Sequence, residues 1–150
     1  MSSGIDHANQ PAPPRALYLA GPLTEQQSIA ALAVALRAAG IPIASTWHDA
    51  KIPEHPTRDE RIAASRVNHR DLDRADAAVF VAHRGQPLET WVEFGAAFKR
   101  IPCFVLHHEG QKLPVSADRA DIVAAPLEWH DTTTELAWLA DRIEAWYGAL

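Results

Sequence analysis

Apolar positions fall into short solid runs separated by stretches with a helical repeat. Extended segments are predicted at 41–46 and at 122–130, the last broken at Pro126, and the runs at 16–20 (A-L-Y-L-A), 77–82 and 102–107 have no polar face. That is the pattern of strands covered on both sides. Between them Ile29, Leu32, Ala33 and Leu36 recur at i, i+3, i+4 and i+7, and Gly40 follows as a stop. The second helix is predicted from Thr57 to about Arg74 with Ile62, Ala63 and Val67 inward, and the third from Thr90 to near Arg100. The fourth carries Leu136, Leu139, Ile143, Trp146 and Tyr147 on one face. Each helix is preceded by a T-x-x-E/Q sequence (Thr24–Gln27, Thr57–Glu60, Thr90–Glu93, Thr132–Glu135), which predicts four capping boxes.

Five strands alternating with four helices predict an α/β fold. The expected architecture is a doubly wound five-stranded parallel sheet, flavodoxin/Rossmann-like, of order 2-1-3-4-5, with helices on both faces. In such sheets ligands bind beyond the carboxyl ends of the strands. Those ends carry Gly21-Pro22, Trp47-His48-Asp49 and His83-Arg84-Gly85. Gly21 offers close approach to backbone. With no second glycine in the pattern, neither a G-x-G-x-x-G fingerprint nor a P-loop is present. Glu93 has two readings: an ionised carboxylate in the first helical turn beside the ligand crevice, or the return half of a cap on Thr90.

The 150 residues suit one domain, residues 16–150, behind a Pro-, Ser- and Gly-containing leader at 1–15 that is expected to be disordered. A net charge of −5 without a Lys/Arg run argues against a nucleic-acid polymer. No apolar run approaches the length of a membrane span and no signal-peptide core is present, so no membrane partner and a cytoplasmic location are expected. Cys103 lies in a predicted strand and has no partner cysteine in the sequence. His107-His108-Glu109 lacks a third ligand at suitable spacing, so no metal is expected, and no cofactor either.

A-L-Y-L-A-G-P-L at 16–23, A-D-A-A-V-F-V-A at 75–82 and G-Q-P-L-E-T-W-V-E-F-G-A-A-F at 85–98 together resemble the nucleoside 2-deoxyribosyltransferase superfamily. That group includes 2′-deoxynucleoside 5′-phosphate N-hydrolases and pyrimidine-nucleotide N-glycosidases. The resemblance covers roughly residues 16–107. It implies that Glu93 is a nucleophile attacking C1′ of a nucleoside, with Tyr18 orienting it. It also implies an acidic residue on the second helix that assists the leaving base. Asp71 sits about one turn nearer the third strand than that position, and Asn68 occupies the ungapped place. Glu89 stands where relatives place an acid that touches ribose or base. Trp47 and His48 lie where the base pocket has a wall. Arg84 is the one local cation for a 5′-phosphate, and Pro22-Leu23-Thr24 and Gln86-Pro87 replace the serines of nucleotide-acting members, which favours a nucleoside. The expected partner is a small-molecule nucleoside or nucleotide, the expected assembly a homo-oligomer. A nucleotide-derivative binding module without turnover is the alternative of a different class.

Overall fold

The computed structural model describes residues 14–83, 87–125 and 132–150. Its core is a parallel sheet of β1 (Leu17–Ala20), β2 (Ala77–Val81), β3 (Cys103–His107) and β4 (Asp121–Ala124). Helices α1 (Gln26–Ala38), α2 (Arg58–Asp73), α3 (Leu88–Ala97) and α4 (Thr132–Gly148) connect and cover it. β1, β2 and the first four residues of β3 are buried throughout, as their unbroken apolar runs require. α1 packs with α4 and α2 with α3. Phe80 meets Phe94 of α3 edge-on at 5.3 Å between ring centres, so Phe80 and its same-face neighbours Ala78, Ala20 and Tyr18 look towards the α2–α3 layer. Phe104 meets Trp146 of α4, which puts the alternate residues on the other side.

The sheet has four strands among the described residues, in sequence order β1-β2-β3-β4, which corrects the expected five strands and 2-1-3-4-5 order. Residues 41–46 run beside β1 but touch it through one isolated parallel bridge, Leu17 to Ile43. There Leu17 N–H donates to Pro42 O (2.9 Å) and Ala44 N–H to Leu17 O (2.8 Å). The ladder stops because side chains take the next places. Leu19 N–H donates to Ser45 Oγ at 3.0 Å, and the Trp47 indole N–H donates to Leu19 O at 2.7 Å. Both backbone groups of Leu19 on that edge are thus satisfied, and nothing remains for a strand to pair with.

The capping pattern also departs from expectation. Thr57–Glu60 forms a complete box, with bonds of 3.1 and 3.2 Å. Thr24 and Thr90 do not cap: α1 starts at Gln26 after a 3-10 turn (Leu23–Glu25), and α3 starts at Leu88 behind Pro87. Starting α3 two residues early moves Glu93 into the second turn and removes it from any cap. On α2, Ala63 is exposed and Ile62 and Val67 only half-buried, while Asp71 and Leu72 are the buried residues. The four apolar residues of the α1 stripe are buried, and Gly40, at φ +87°, follows the helix. Of the leader, residues 1–13 lie outside the described residues, as do 126–130 of the expected last strand; Arg15 O accepts from the Tyr147 hydroxyl at 3.0 Å. No helix among the described residues is long and apolar enough to cross a membrane.

Gly21 lets β1 and α1 pack closely. A Cβ there would overlap Cδ1 of Ile29 on α1, with Val81 Cβ and O at 3.5 Å behind. Gly21→Ala is therefore expected to lower stability by about 1–3 kcal/mol through displacement of Ile29, measured as a shifted urea midpoint; an unchanged midpoint would leave the glycine unexplained by α1.

Candidate active site

Glu93 projects from the second turn of α3 towards β1 and is buried, with 8% of its surface exposed. Tyr18, in the middle of β1, is fully buried, and Ala78 is its neighbour in register on β2. Its hydroxyl has no partner of standard hydrogen-bond length and angle, yet it faces the Glu93 carboxylate closely enough that each group shifts the other. Burial pushes the Glu93 carboxyl up to about 7; the Tyr18 hydroxyl opposes this as a donor, the charge of Glu89 adds to it, and the Asn68 amide opposes it. Burial first, then the charge of Glu93 and that of Asp71, hold the Tyr18 phenol far above its ordinary value. The expectation that a helix dipole keeps Glu93 ionised is thereby corrected: in the second turn the dipole fades and desolvation dominates.

Asn68 and Asp71, one turn apart on α2, take different partners. Asn68 is half-buried and interacts with Glu93. Asp71 is buried; its Oδ2 accepts from the Thr46 hydroxyl at 2.6 Å, its Oδ1 lies 3.8 Å from the mostly exposed Arg70 guanidinium, and its charge reaches Tyr18. Glu89 is exposed in the first turn of α3. Asn68 and Glu89 thus act on Glu93, and Asp71 and Glu93 on Tyr18, although the five residues come from three elements.

No family model matches this sequence, and no curated protein matches it. A solved structure does: the CMP N-glycosidase BcmB of Clostridium botulinum, at a TM-score of 0.51 and 15% identity, over 85% of this chain and 99% of that one. The chain shares the fold of an N-glycosidase.

The remaining expected site residues divide. Trp47 is buried with its indole N–H on Leu19 O, closing the edge of β1. His48 is buried too; Ser45 Oγ lies 3.0 Å from its Nε2 and Asp49 Oδ1 3.4 Å from its Nδ1. Burial lowers its proton affinity, with Asp49 opposing. Ser45 Oγ accepts from Leu19 N–H and shares a second hydrogen bond with His48 Nε2, and the group anchors the segment 41–46 to β1. Gly21 and Pro22 are half-buried at the end of β1, and Glu25 N–H donates to Pro22 O at 2.9 Å. Arg84 and Gly85 lie outside the described residues. His107 and His108 donate from Nδ1 to the next residue's carbonyl, and no metal-binding group of three is found among the described residues.

Sequence reasoning missed Ser45 and Thr46, whose hydroxyls hold β1 and Asp71, and Gln26 and Gln111. The Gln26 side chain donates to Trp47 O (3.0 Å) and Ala50 O (2.8 Å); that of Gln111 donates to Ala82 O (2.7 Å), beyond the end of β2. The one signal was a hydroxyl pair, Ser45-Thr46, closing an otherwise apolar run.

Proposed function

We propose that this chain cleaves or transfers the N-glycosidic bond of a (deoxy)nucleoside through a covalent glycosyl ester on Glu93. The observation that carries the reading is the buried apposition of Glu93 to Tyr18, with Asn68 and Asp71 alongside. A carboxylate oxygen of Glu93 bonds to C1′ while the C1′–N bond breaks, its electron pair leaving with the base nitrogen, which takes up a proton from solvent; the water or second base that later attacks C1′ gives one back. Charge developing on the sugar is oxocarbenium-like, and the carboxylates of Glu93, Asp71 and Glu89 oppose it. Water attacking C1′ then frees the sugar, or the nitrogen of a second base attacks and a new nucleoside forms; either restores the carboxylate.

Only ionised Glu93 can attack. With its carboxyl at about 7 in the free protein, kcat/KM is expected to fall about tenfold for each pH unit below 7 and to level off above it. The deciding experiment mixes the protein with a deoxynucleoside and a different free base. Exchange of bases identifies a transferase, and free base plus sugar a hydrolase. Neither product, together with thermal stabilisation by the nucleoside, identifies the binding module and sinks the catalytic reading.

A 5′-monophosphate as substrate is the second reading, favoured by the CMP N-glycosidase among the fold neighbours. Running the same assay with the deoxynucleoside and its 5′-monophosphate side by side separates the two. Assembly of at least two copies belongs to the proposal, as does a cytoplasmic setting.

A further inference from the structure

Ser45 and His48 are buried polar residues on the segment bordering β1, and they bond to each other, Ser45 Oγ lying 3.0 Å from His48 Nε2. The same oxygen accepts from Leu19 N–H at 3.0 Å, and these are its hydrogen bonds among the described residues. A hydroxyl has one proton to give and two lone pairs that receive. Beside a neutral imidazole every demand is met when Nε2 is bare: Ser45 donates to it and accepts from Leu19. The Asp49 carboxylate, 3.4 Å from Nδ1, favours that tautomer by drawing the ring proton to Nδ1. A second proton on the ring puts a hydrogen on Nε2 as well. Nε2–H and Leu19 N–H then aim at one oxygen, and the Ser45 proton loses its acceptor in a fully buried place.

We propose that Ser45 and His48 form an acid-sensitive latch: the neutral imidazole keeps Ser45 on the Leu19 N–H, and protonation of the ring releases it. Gln26 of α1 donates to Trp47 O and Ala50 O, so the turn stays on α1 while its hold on β1 weakens. Tyr18 is the residue before Leu19, so the released edge borders the candidate site; the latch itself needs no substrate. The charges that act on the ring are Asp49 of its own turn and Arg37 of α1, which lies 3.7 Å from that carboxylate. α2 also packs on this turn, and its Asp71 accepts from the Thr46 hydroxyl. Burial outweighs Asp49 and lowers the proton affinity of the closed ring. An opened ring takes its proton at about 6.5 and the closed one only at lower pH, so closure is strongest above about 6.5 and weakens as pH falls. Glu93 acts in the opposite sense, adding stability as pH falls through about 7, so the latch is read by local exchange rather than by melting.

The test follows hydrogen exchange of the Leu19 amide from about pH 8 to about pH 5, corrected for intrinsic rates, with Val105 in the middle of the sheet as reference. In wild type the Leu19 protection factor is expected to fall by up to about tenfold per pH unit below about 6.5. It should level off where the His48 ring itself titrates, read from its nitrogen-15 shifts, and Val105 should not follow. His48→Gln can carry an amide oxygen to the place of Nε2, accepting from Ser45 without ever taking a proton, and should hold Leu19 protection across the range. Wild type without an acid step at Leu19, or with an equal step at Val105, overturns the proposal. So does a glutamine variant that keeps the step. Where that variant does not fold, wild type alone decides: levelling-off more than about one pH unit from the His48 midpoint overturns the latch.

Discussion

Glu93→Gln is expected to lose at least ~10³-fold in N-glycosidic turnover while becoming harder to unfold above pH 7. The two effects have one origin. Burial raises the Glu93 carboxyl from 4.5 to about 7. A group whose proton is held more tightly in the folded state contributes stability that is fully present below about 4.5 and is lost as pH rises through about 7. Above that the buried charge costs about 3 kcal/mol, an order-of-magnitude figure from the displacement of the carboxyl. Glutamine keeps the shape and cannot ionise, so it removes the cost together with the nucleophile. Thermal unfolding of both proteins at pH 5 and pH 8, beside the activity assay, checks it. Melting temperatures should differ little at the lower pH and separate in favour of glutamine at the higher. Near-wild-type turnover in the variant would take Glu93 out of the mechanism; equal pH dependence of melting would take the buried charge out of the energetics.

Trp47→Ala is expected to destabilise the protein by about 3–5 kcal/mol, the usual range for deleting a buried indole. For a chain of 150 residues that lowers the melting temperature by roughly 10 °C or more. The side chain fills the edge beside β1, meets the His48 ring edge-on at 5.8 Å, and holds Leu19 O. Trp47→Phe keeps most of the ring but strands that carbonyl, and should cost about 1–3 kcal/mol. Both losses should be present without any ligand. A tryptophan acting as the wall of a base pocket would behave oppositely, leaving the ligand-free melting temperature near wild type and weakening nucleoside binding. The comparison matters because Tyr18 is next to Leu19: whatever loosens that edge also moves the phenol facing Glu93.

Tyr18 and Glu93 come into view through the resemblance that Y-L-A-G-P and V-E-F-G-A-A carry, and the structure brings the two side chains together between β1 and α3. Capping could not be read. T-x-x-E marks a helix start at Thr57, where Glu60 is exposed and free to reach back. At Thr90 the same letters lie inside a helix, because Pro87 sets the start earlier and the rotation of α3 turns position 93 into the core. The choice between Asn68 and Asp71 was equally closed to the sequence. Residues at i and i+3 share a helix face, so spacing cannot separate them. What separates them is Thr46, on another segment, offering a hydroxyl to one and not the other.

The sequence by itself determined the parallel α/β character and the buried central strands, because solid apolar runs and helical stripes are properties of neighbouring residues. Tertiary structure decided the rest. Residues 41–46 are apolar enough for a strand, but Ser45 and Trp47 fill the hydrogen-bonding places of Leu19 with side chains, so among the described residues the sheet stops at β1 on that edge. Glu93 reads as an ionised helix-start acid until β1 is packed against it; desolvation then lifts its carboxyl towards neutrality. Pairing and burial both depend on which distant groups arrive, and local sequence carries no record of that.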